Sequence, residues 1–362
     1  MKLVATIKLR PSREQANALW DTLRRCNQAC TWLAEKGFAS KVFGQYALHK
    51  LAYRDMRERF GLTAQAAVRC IAKVAHAFKV NREVAPRFRP DAAQPYDGRI
   101  FRFVQNGEAV SIWTVAERII VPCVTGEYQH CLLAFRKGEA DLALIRGKWF
   151  LVCTCDVPET ASFDPEDWLG VDLGIINIAT DSDGWAHTGA VIEAVRAWYA
   201  DRRAILQKVG SKAAKRRLRR LSGRQRRFQR HQNHVIAKAL VSTAQRTGRG
   251  IALEELRHIR RRVTARRDQR ARLHNWSFGQ LRAFVAYKAK LAGVPVLYVD
   301  PRHTSLGCSC CGVIDKRNRP DQATFSCIEC GHTAPADFNA AVNIRSRAAR
   351  ASVTTPDVLT AA

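Results

Sequence analysis

Residues 168–184 read WLGVDLGIINIATDSDG, an apolar run from Trp168 to Ile175 broken by one carboxylate, Asp172. Leu169–Leu173 and Asn177–Asp181 have the character of strands, and Asp172 lies inside the first of them. A charge in such a place needs a partner or a metal, because burying an isolated carboxylate is expensive. An acid closing an apolar run recurs in Ile251-Ala-Leu-Glu-Glu-Leu256, which puts Glu254 and Glu255 at the end of a strand-like segment, Gly250–Leu253. Val294–Val299 is a further strand candidate, and long helical stretches separate these segments, so this half of the chain reads as α/β. Downstream, Pro335-Ala-Asp-Phe-Asn-Ala-Ala-Val-Asn-Ile344 opens a helix with Asp337 in its first turn. Pro335 suits that turn, and Ala340, Ala341 and Ile344 form a packing face on the side of Asp337.

Taken singly, each acid has an ordinary reading. Asp172 fits a turn, Glu254 an exposed strand end, and Asp337 a helix start favoured by the dipole. Together they are two strand-borne acids and one helix-borne acid in a chain with Lys+Arg 60 against Asp+Glu 32 and a net charge of +28. That combination predicts a Mg²⁺ site for phosphodiester hydrolysis, one metal activating water and the other neutralising the leaving 3′ oxygen. A surplus of cationic charge on this scale calls for a polyanionic partner.

The surplus is concentrated. Residues 211–230 read SKAAKRRLRRLSGRQRRFQR, with ten Lys/Arg and no acid, and 201–280 hold 24 basic against 4 acidic residues. Ala213, Leu218 and Leu221 give the segment one narrow apolar stripe, predicting a helix that lies on the body with its cations outward. A run of charge is commonly just a solvated face, but ten like charges repel unless something neutralises them. Lys212, Lys215, Arg216, Arg217, Arg219, Arg220, Arg224, Arg226, Arg227 and Arg230 are therefore expected to follow nucleic-acid phosphates. Such binding is salt-dependent and largely blind to sequence.

Four of the twelve cysteines form a pattern: Cys308-x2-Cys311 and Cys327-x2-Cys330, fifteen residues apart, each pair followed by a glycine, Gly312 or Gly331. Two such knuckles supply four thiolates to one structural Zn²⁺. Cys310 sits inside the first pair and could compete, but the spacing and the glycine after Cys311 favour Cys308 and Cys311. The other cysteines are scattered and suit small core positions.

The first half has another texture. Lys2–Leu9 alternates as a strand, with Leu3, Ala5, Ile7 and Leu9 on one face, and Ser12 with Gln15 forms a capping box for the helix that follows. Helical spacing runs through Leu19, Leu23 and Leu33, then Leu48, Leu51 and Met56, then Thr63–Val80. From Pro86 the chain turns to short alternating runs: Ile100–Val104, Ala109–Trp113, Ile119–Val124, Cys131–Phe135 and Trp149–Cys155. These predict a small antiparallel sheet or barrel, interrupted after its first strand by a helical insert. Phe163–Asp167 reads as a linker, and Ala351–Ala362 lacks a core pattern and is expected to be disordered.

Length alone suggests two or three domains, and 47% hydrophobic residues exclude a largely disordered chain. No apolar stretch approaches the ~18 residues that span a bilayer. The start at Met1–Leu9 is short for a signal peptide, so a cytoplasmic location is expected, on the nucleoid when DNA is bound. The ten histidines are dispersed and accompany no nucleophile motif, which argues against a Ser/His/Asp or Cys/His hydrolase.

Read as a set, these motifs resemble the TnpB family of transposon-encoded RNA-guided nucleases, relatives of the type V CRISPR effectors. The markers are GVDLGIINIATDSDG at 170–184, KRRLRRLSGRQRRFQRHQNHVIAKALV at 215–241, LEEL at 253–256, Tyr287-Lys288, DPRHTSLGCSCCG at 300–312, FSCIECGH at 325–332 and ADFNAAVNI at 336–344. The resemblance covers most of 168–345 and is weaker before it. It implies an α/β multidomain chain: an RNase-H/RuvC-like nuclease domain with an inserted zinc ribbon, plus an N-terminal oligonucleotide-binding β-barrel (the wedge) interrupted by a helical recognition lobe. The implied layout is a wedge strand at 1–10, the recognition lobe at 11–85 and the wedge barrel at 86–163. The RuvC-like domain with its arginine-rich helix follows at 164–304, the ribbon at 305–332, the last RuvC-like helix at 333–350 and a disordered tail at 351–362.

By motif position the resemblance makes Asp172, Glu254 and Asp337 the catalytic, Mg²⁺-binding acids, and prefers Glu254 to Glu255. It makes Cys308, Cys311, Cys327 and Cys330 the zinc ligands, and gives His234 a structural or RNA-facing place. It implies a guide RNA transcribed from the transposon end, cleavage of double-stranded DNA beside a short flanking motif, and a monomer in the RNA complex. Three other readings use the same residues: a guided DNA-binding protein or repressor that does not cut, a miniature type V CRISPR effector, and a transposase performing strand transfer. One motif departs from the family: Pro335-Ala336-Asp337 stands where many relatives have Asp-Arg-Asp, keeping the aspartate and losing an acid and a base.

Overall fold

The computed structural model describes residues 1–255 and 278–354. Residues 256–277, inside the expected nuclease domain, and 355–362, most of the expected tail, lie outside the described residues. The chain divides into two compact units, Met1–Pro158 and Glu159–Ala362.

In the first unit, strand β1 (Lys2–Leu9) buries Ala5, Ile7 and Leu9, as its alternation requires. Pro11 ends it, and Ser12 caps helix α1 (Arg13–Ala39) through the reciprocal bonds of a capping box with Gln15. Helices α2 (Gln45–Phe60) and α3 (Ala64–Val80) follow. Leu19 and Leu23 at the start of α1 pack into the sheet core, whereas Cys26, Cys30 and Leu33 one turn later join the helical core of α2 and α3. One long helix thus belongs to two cores.

The chain then returns to the sheet through β2 (Gln94–Tyr96), β3 (Phe101–Val104), β4 (Ala109–Trp113), β5 (Arg118–Val124), helix α4 (Glu127–Leu133), β6 (Arg136–Ile145) and β7 (Lys148–Asp156). The seven strands run in the order β2-β6-β7-β1-β5-β4-β3, with β1 between β7 and β5. The hydrogen-bonded order ends on β2 and β3, so the ladder is not closed as a barrel would be. The expected strand Cys131–Phe135 is instead the end of α4 and the turn after it. Gln129 accepts from the Gly126 N–H at 3.1 Å and so caps a helix there, leaving the pairing with β7 to β6.

In the second unit, β8 (Trp168–Asp172), β9 (Asn177–Asp181) and β10 (Ala186–Thr188) form an antiparallel run. Helices α5 (Ala190–Val209) and α6 (Lys212–Arg246) intervene before β11 (Gly250–Glu254) pairs in parallel with β8. Helix α7 (Phe278–Ala292) precedes β12 (Val296–Val299), which pairs in parallel with β11. The order is β10-β9-β8-β11-β12. Ile236, Leu240, Leu281 and Val285 of α6 and α7 cover one face of this sheet, packing on Leu169, Val171, Ile251 and Leu253. The last helix, α8 (Ala336–Thr354), covers the other through Ile344 and Ala348 against Trp168 and Ala252. It runs four residues past the end expected at 350. The short strands β13 (Thr324–Ser326) and β14 (Thr333–Pro335) form the ribbon before it.

The expected linker is part of this unit. Thr160 donates to the Leu291 carbonyl at 2.7 Å, Phe163 packs on the core, and Asp167 pairs with Arg345 of α8. Among the described residues, no helix is long and apolar enough to cross a membrane.

Candidate active site

The period-two alternation of β8 sends Leu169 and Val171 into the α6–α7 core. Its other residues therefore face α8: Trp168 packs on Ile344, and at Gly170 the helix comes so close that a Cβ would lie 2.6 Å from the Arg345 backbone nitrogen. Asp172 is the next residue on that face. In β11 the same parity places Ile251 and Leu253 in the core and Ala252 and Glu254 toward α8. Leu253 registers with Val171, so Glu254 stands beside Asp172 across the parallel pair. Asp337, in the first turn of α8, completes the arrangement. All three carboxylates line one cavity of about 820 Å³, together with Asn177, Thr304 and Arg319.

Each acid is held differently. Glu254 is buried and accepts a short hydrogen bond from the Thr304 hydroxyl. Thr304 also donates toward the Pro301 carbonyl, in a turn that His303 enters with a left-handed φ of 62°. Asp337 accepts from the side-chain amide of Asn177 at 2.9 Å. Asp172 has the most perturbed carboxyl: burial first, then the neighbouring charges of Glu254 and Asp337, push it up to about 8, against partial relief from Arg319. Burial also raises Glu254, while the Thr304 bond and Arg347 hold it down. The oxygens of the three acids do not all lie within 4.8 Å of one another, so a divalent cation that neutralised the three hard oxygen donors would draw them closer together. Nothing in the residue spacing marks Asn177 or Arg319, and Thr304 is visible only as part of the longer run 300–312.

Glu255 lines the same cavity but pairs with Arg282 at 2.9 Å, so it enters charge-balanced, unlike Glu254. His234 stacks on Phe284, with ring centroids 3.8 Å apart, and lies 3.4 Å from the Tyr287 hydroxyl, which makes it a packing residue between α6 and α7. Pro335 ends β14, and Ala336 is buried with Cys308, Phe325 and Cys327 in the small core of the ribbon.

The sulfurs of Cys308, Cys311, Cys327 and Cys330 all lie within 4.8 Å of one another, the one such cluster of metal-binding side chains among the described residues. Cys308 and Cys330 are 3.6 Å apart and Cys311 and Cys327 3.5 Å. A tetrahedron with Zn–S bonds of about 2.3 Å has edges near 3.8 Å, so the cluster can hold zinc with little movement. Backbone N–H groups of Cys310 and Cys311 point to Cys308 Sγ, and that of Cys330 to Cys327 Sγ. The Cys330 N–H is the main cause that brings the Cys327 thiol down to about 6. Cys310 is exposed and outside the cluster.

Helix α6 places Lys212, Lys215, Arg216, Arg217, Arg219, Arg220, Arg224, Arg226, Arg227 and Arg230 all on exposed positions. Its buried stripe is Ala214, Leu221 and Gln225, with Leu218 half-buried, rather than one starting at Ala213, which is exposed. The stripe 214, 218, 221, 225 keeps the steps of four, three and four that a straight helix needs; a start at 213 breaks them.

Residues 152–271 match the family described as "Probable transposase", OrfB of IS605, and residues 278–344 the family described as "Cas12f1-like, TNB domain". The endodeoxyribonuclease Cas12f1 of Sulfoacidibacillus thermotolerans is 32% identical over 252 residues, covering 64% of this chain and 56% of that protein. A TnpB-like protein of Methanocaldococcus jannaschii is 36% identical over 124 residues, 34% of this chain and 44% of that one. The chain spans about half the length of the relatives it matches. In fold it is similar to Cas12f1 as seen in a cryo-EM complex with sgRNA and target DNA, with a TM-score of 0.59 at 17% identity over 92% of this chain and 83% of that one. The two family matches in chain order, with relatives of both kinds, make this chain similar to TnpB-type proteins over most of residues 152–344.

Proposed function

We propose that this protein is an RNA-guided DNA endonuclease of a transposable element, cutting double-stranded DNA by metal-dependent phosphodiester hydrolysis. The observation that carries the reading is the convergence of Asp172, Glu254 and Asp337, from two strands and a helix, on one cavity, where the charges of Glu254 and Asp337 raise the carboxyl of Asp172. In this reading Met1–Pro158 supplies the wedge, built on β1–β7, and the recognition lobe, built on α1–α3. The second unit supplies the nuclease and its ribbon. Base pairing with the guide would read sequence, and the protein would read heteroduplex shape and a short flanking motif.

Magnesium held by Asp172, Glu254 and Asp337 would supply Lewis-acid polarisation of the scissile phosphate and a water of lowered pKa. The chain's own work is positioning. Thr304 holds Oε1 of Glu254, a residue that lines the cavity. Asn177 does the same for Asp337 through Oδ2. Arg319 is the one cation lining the cavity among the described residues and would draw in a phosphate. In the reaction a water oxygen bonds to phosphorus, the P–O3′ bond breaks and the leaving oxygen takes a proton. The four-cysteine ribbon, loaded with zinc, serves structure. The exposed cations of α6 hold guide or heteroduplex phosphates.

The test is cleavage by protein copurified with its RNA, on plasmids carrying the guide-matched target beside randomised flanks, with Mg²⁺ or EDTA. Mg²⁺-dependent double-strand breaks beside one enriched flank, lost in Asp172→Ala, are expected. RNA-dependent target binding without breaks would sink the endonuclease and leave a guided binder.

A further inference from the structure

Helices α5 and α6 form a hairpin. Gly210, at φ 66°, closes α5 and Ser211 caps α6 by accepting from the Ala214 N–H. Arg203 donates to Gln225 at 2.6 Å and fastens one helix to the other. Beside that contact lies a cleft of about 810 Å³, lined by Trp198 and Arg202 of α5 and by Arg216, Arg217, Arg220 and Arg224 of α6. No acid lines it. None of its five guanidinium groups forms an ion pair with another side chain among the described residues.

The indole is the second half of the observation. Trp198 is 50% exposed, although it has apolar neighbours on its own helix. Tyr199 packs against it in a T-shaped pair with ring centroids 4.9 Å apart, and the Arg202 guanidinium stands over the ring 5.3 Å from its centroid, so the indole is braced while it lines the cleft. A smaller pocket, lined by Val195, Tyr199 and Phe228, shares the same ring, which makes Trp198 a wall common to two cavities. Phosphates alone would need the arginines but no aromatic surface, and an intact duplex offers no free base face. An acidic peptide would satisfy the charges and leave the indole idle. A single strand satisfies both: base faces stack on an aromatic ring while the backbone runs along cations.

We propose that this cleft binds a single-stranded stretch of nucleic acid, one base stacked on Trp198 and neighbouring phosphates on Arg216, Arg217, Arg220 and Arg224. The proposal rests on the guided-nuclease reading for the source of the strand, an unpaired part of the guide or a displaced DNA strand. It does not depend on cleavage.

The experiment uses the full chain, stripped of copurified nucleic acid in high salt. Fluorescent oligo(U), oligo(dT) and a short duplex are titrated by anisotropy over a range of salt concentrations. Trp198→Ala is expected to weaken single-strand binding on the order of tenfold, with duplex affinity and the salt slope unchanged. Trp198→Phe restores most of the loss. Arg217→Gln with Arg220→Gln lowers the slope of log K against log salt by roughly 1.4, about 0.7 for each phosphate contact. Loss on both oligonucleotides, or on one alone, supports the cleft and names the strand it holds. Equal loss on single strand and duplex, no loss in Trp198→Ala, or competition by poly-glutamate as effective as by unlabelled oligonucleotide each overturns it. A chain that never cuts DNA but loses single-strand affinity in Trp198→Ala keeps the cleft and sinks only the endonuclease.

Discussion

The side-chain amide of Asn177 donates to Asp337 Oδ2 across 2.9 Å, joining strand β9 to the first turn of α8 through residues 160 positions apart. Asn177 opens the strand that follows the Asp172 loop, so the bond orients the carboxylate of Asp337 toward that strand.

Asn177→Ala therefore leaves the fold and all three acids in place but frees the carboxylate of Asp337. Loss of a partner that orients a metal-binding side chain typically costs 10- to 100-fold in metal affinity or activity. The expected result is cleavage that needs about tenfold more Mg²⁺ for half-maximal rate. A Mg²⁺ titration of plasmid cleavage checks this; an unchanged midpoint would show that Asn177 only packs.

The three acids were legible for a physical reason: strand parity. Once Leu169, Val171, Ile251 and Leu253 are core residues, Asp172 and Glu254 must share the opposite face, and the apolar stripe of α8 that covers this face carries Asp337 at its start. The partners of those acids were not legible. Thr304 reaches Glu254 from a turn shaped by the left-handed His303, and no periodicity encodes a turn. Short elements failed for a related reason. Five apolar residues at Cys131–Phe135 suit a strand or a helix end equally, and the capping contact of Gln129 with Gly126 decides for the helix. Strand β6 escaped notice because its first residues, Arg136 to Glu139, are charged or glycine, and only Ala140, Leu142 and Ala143 are buried.

The carboxyl of Asp172 gives stability a pH dependence. Its ordinary value is 3.8, and burial beside Glu254 and Asp337 raises it to about 8 in the folded chain. Between these values the folded state keeps a proton that the unfolded state has released, so stability falls as pH rises through the window and levels off above it. The slope from this group is at most about 1.4 kcal/mol per pH unit. Asp172→Asn removes it. Without added Mg²⁺, the variant is expected to melt above wild type near pH 8 and close to it near pH 4. Melting curves that differ by the same amount at every pH would contradict the assignment.

Gly170 is where α8 touches the sheet. A methyl group there would overlap the Ala341 carbonyl and the Arg345 nitrogen, both helix backbone, which cannot give way as a side chain can. Gly170→Ala is expected to cost on the order of 3 kcal/mol, seen as a lowered Tm. By pushing the helix outward it should also reduce cleavage even at temperatures where the protein is folded. Retained Tm with full activity would mean that the helix shifts freely, and that the close approach does not set the position of Asp337.

The ribbon is fastened to the same helix, so zinc should matter to the carboxylates without touching them. Asn339 and Asn343 of α8 each donate to the Gly307 carbonyl at 2.8 Å, and Asn339 accepts from the Ser309 N–H at 3.0 Å, so the two asparagines grip the backbone on either side of Cys308. Asn343 also donates to the Thr304 carbonyl at 2.9 Å, which carries the grip to the residue that orients Glu254. Cys308→Ser is therefore expected to remove bound zinc, lower the Tm and depress cleavage together. Cys310→Ser, at an exposed position outside the cluster, should keep one zinc per chain and full activity. Metal analysis of both variants decides the ligand set. Activity decides the coupling: a Cys308→Ser protein that has lost zinc, stays folded and cuts at the wild-type rate would show that the grip on Gly307 holds the ribbon alone and leaves Thr304 and Glu254 undisturbed.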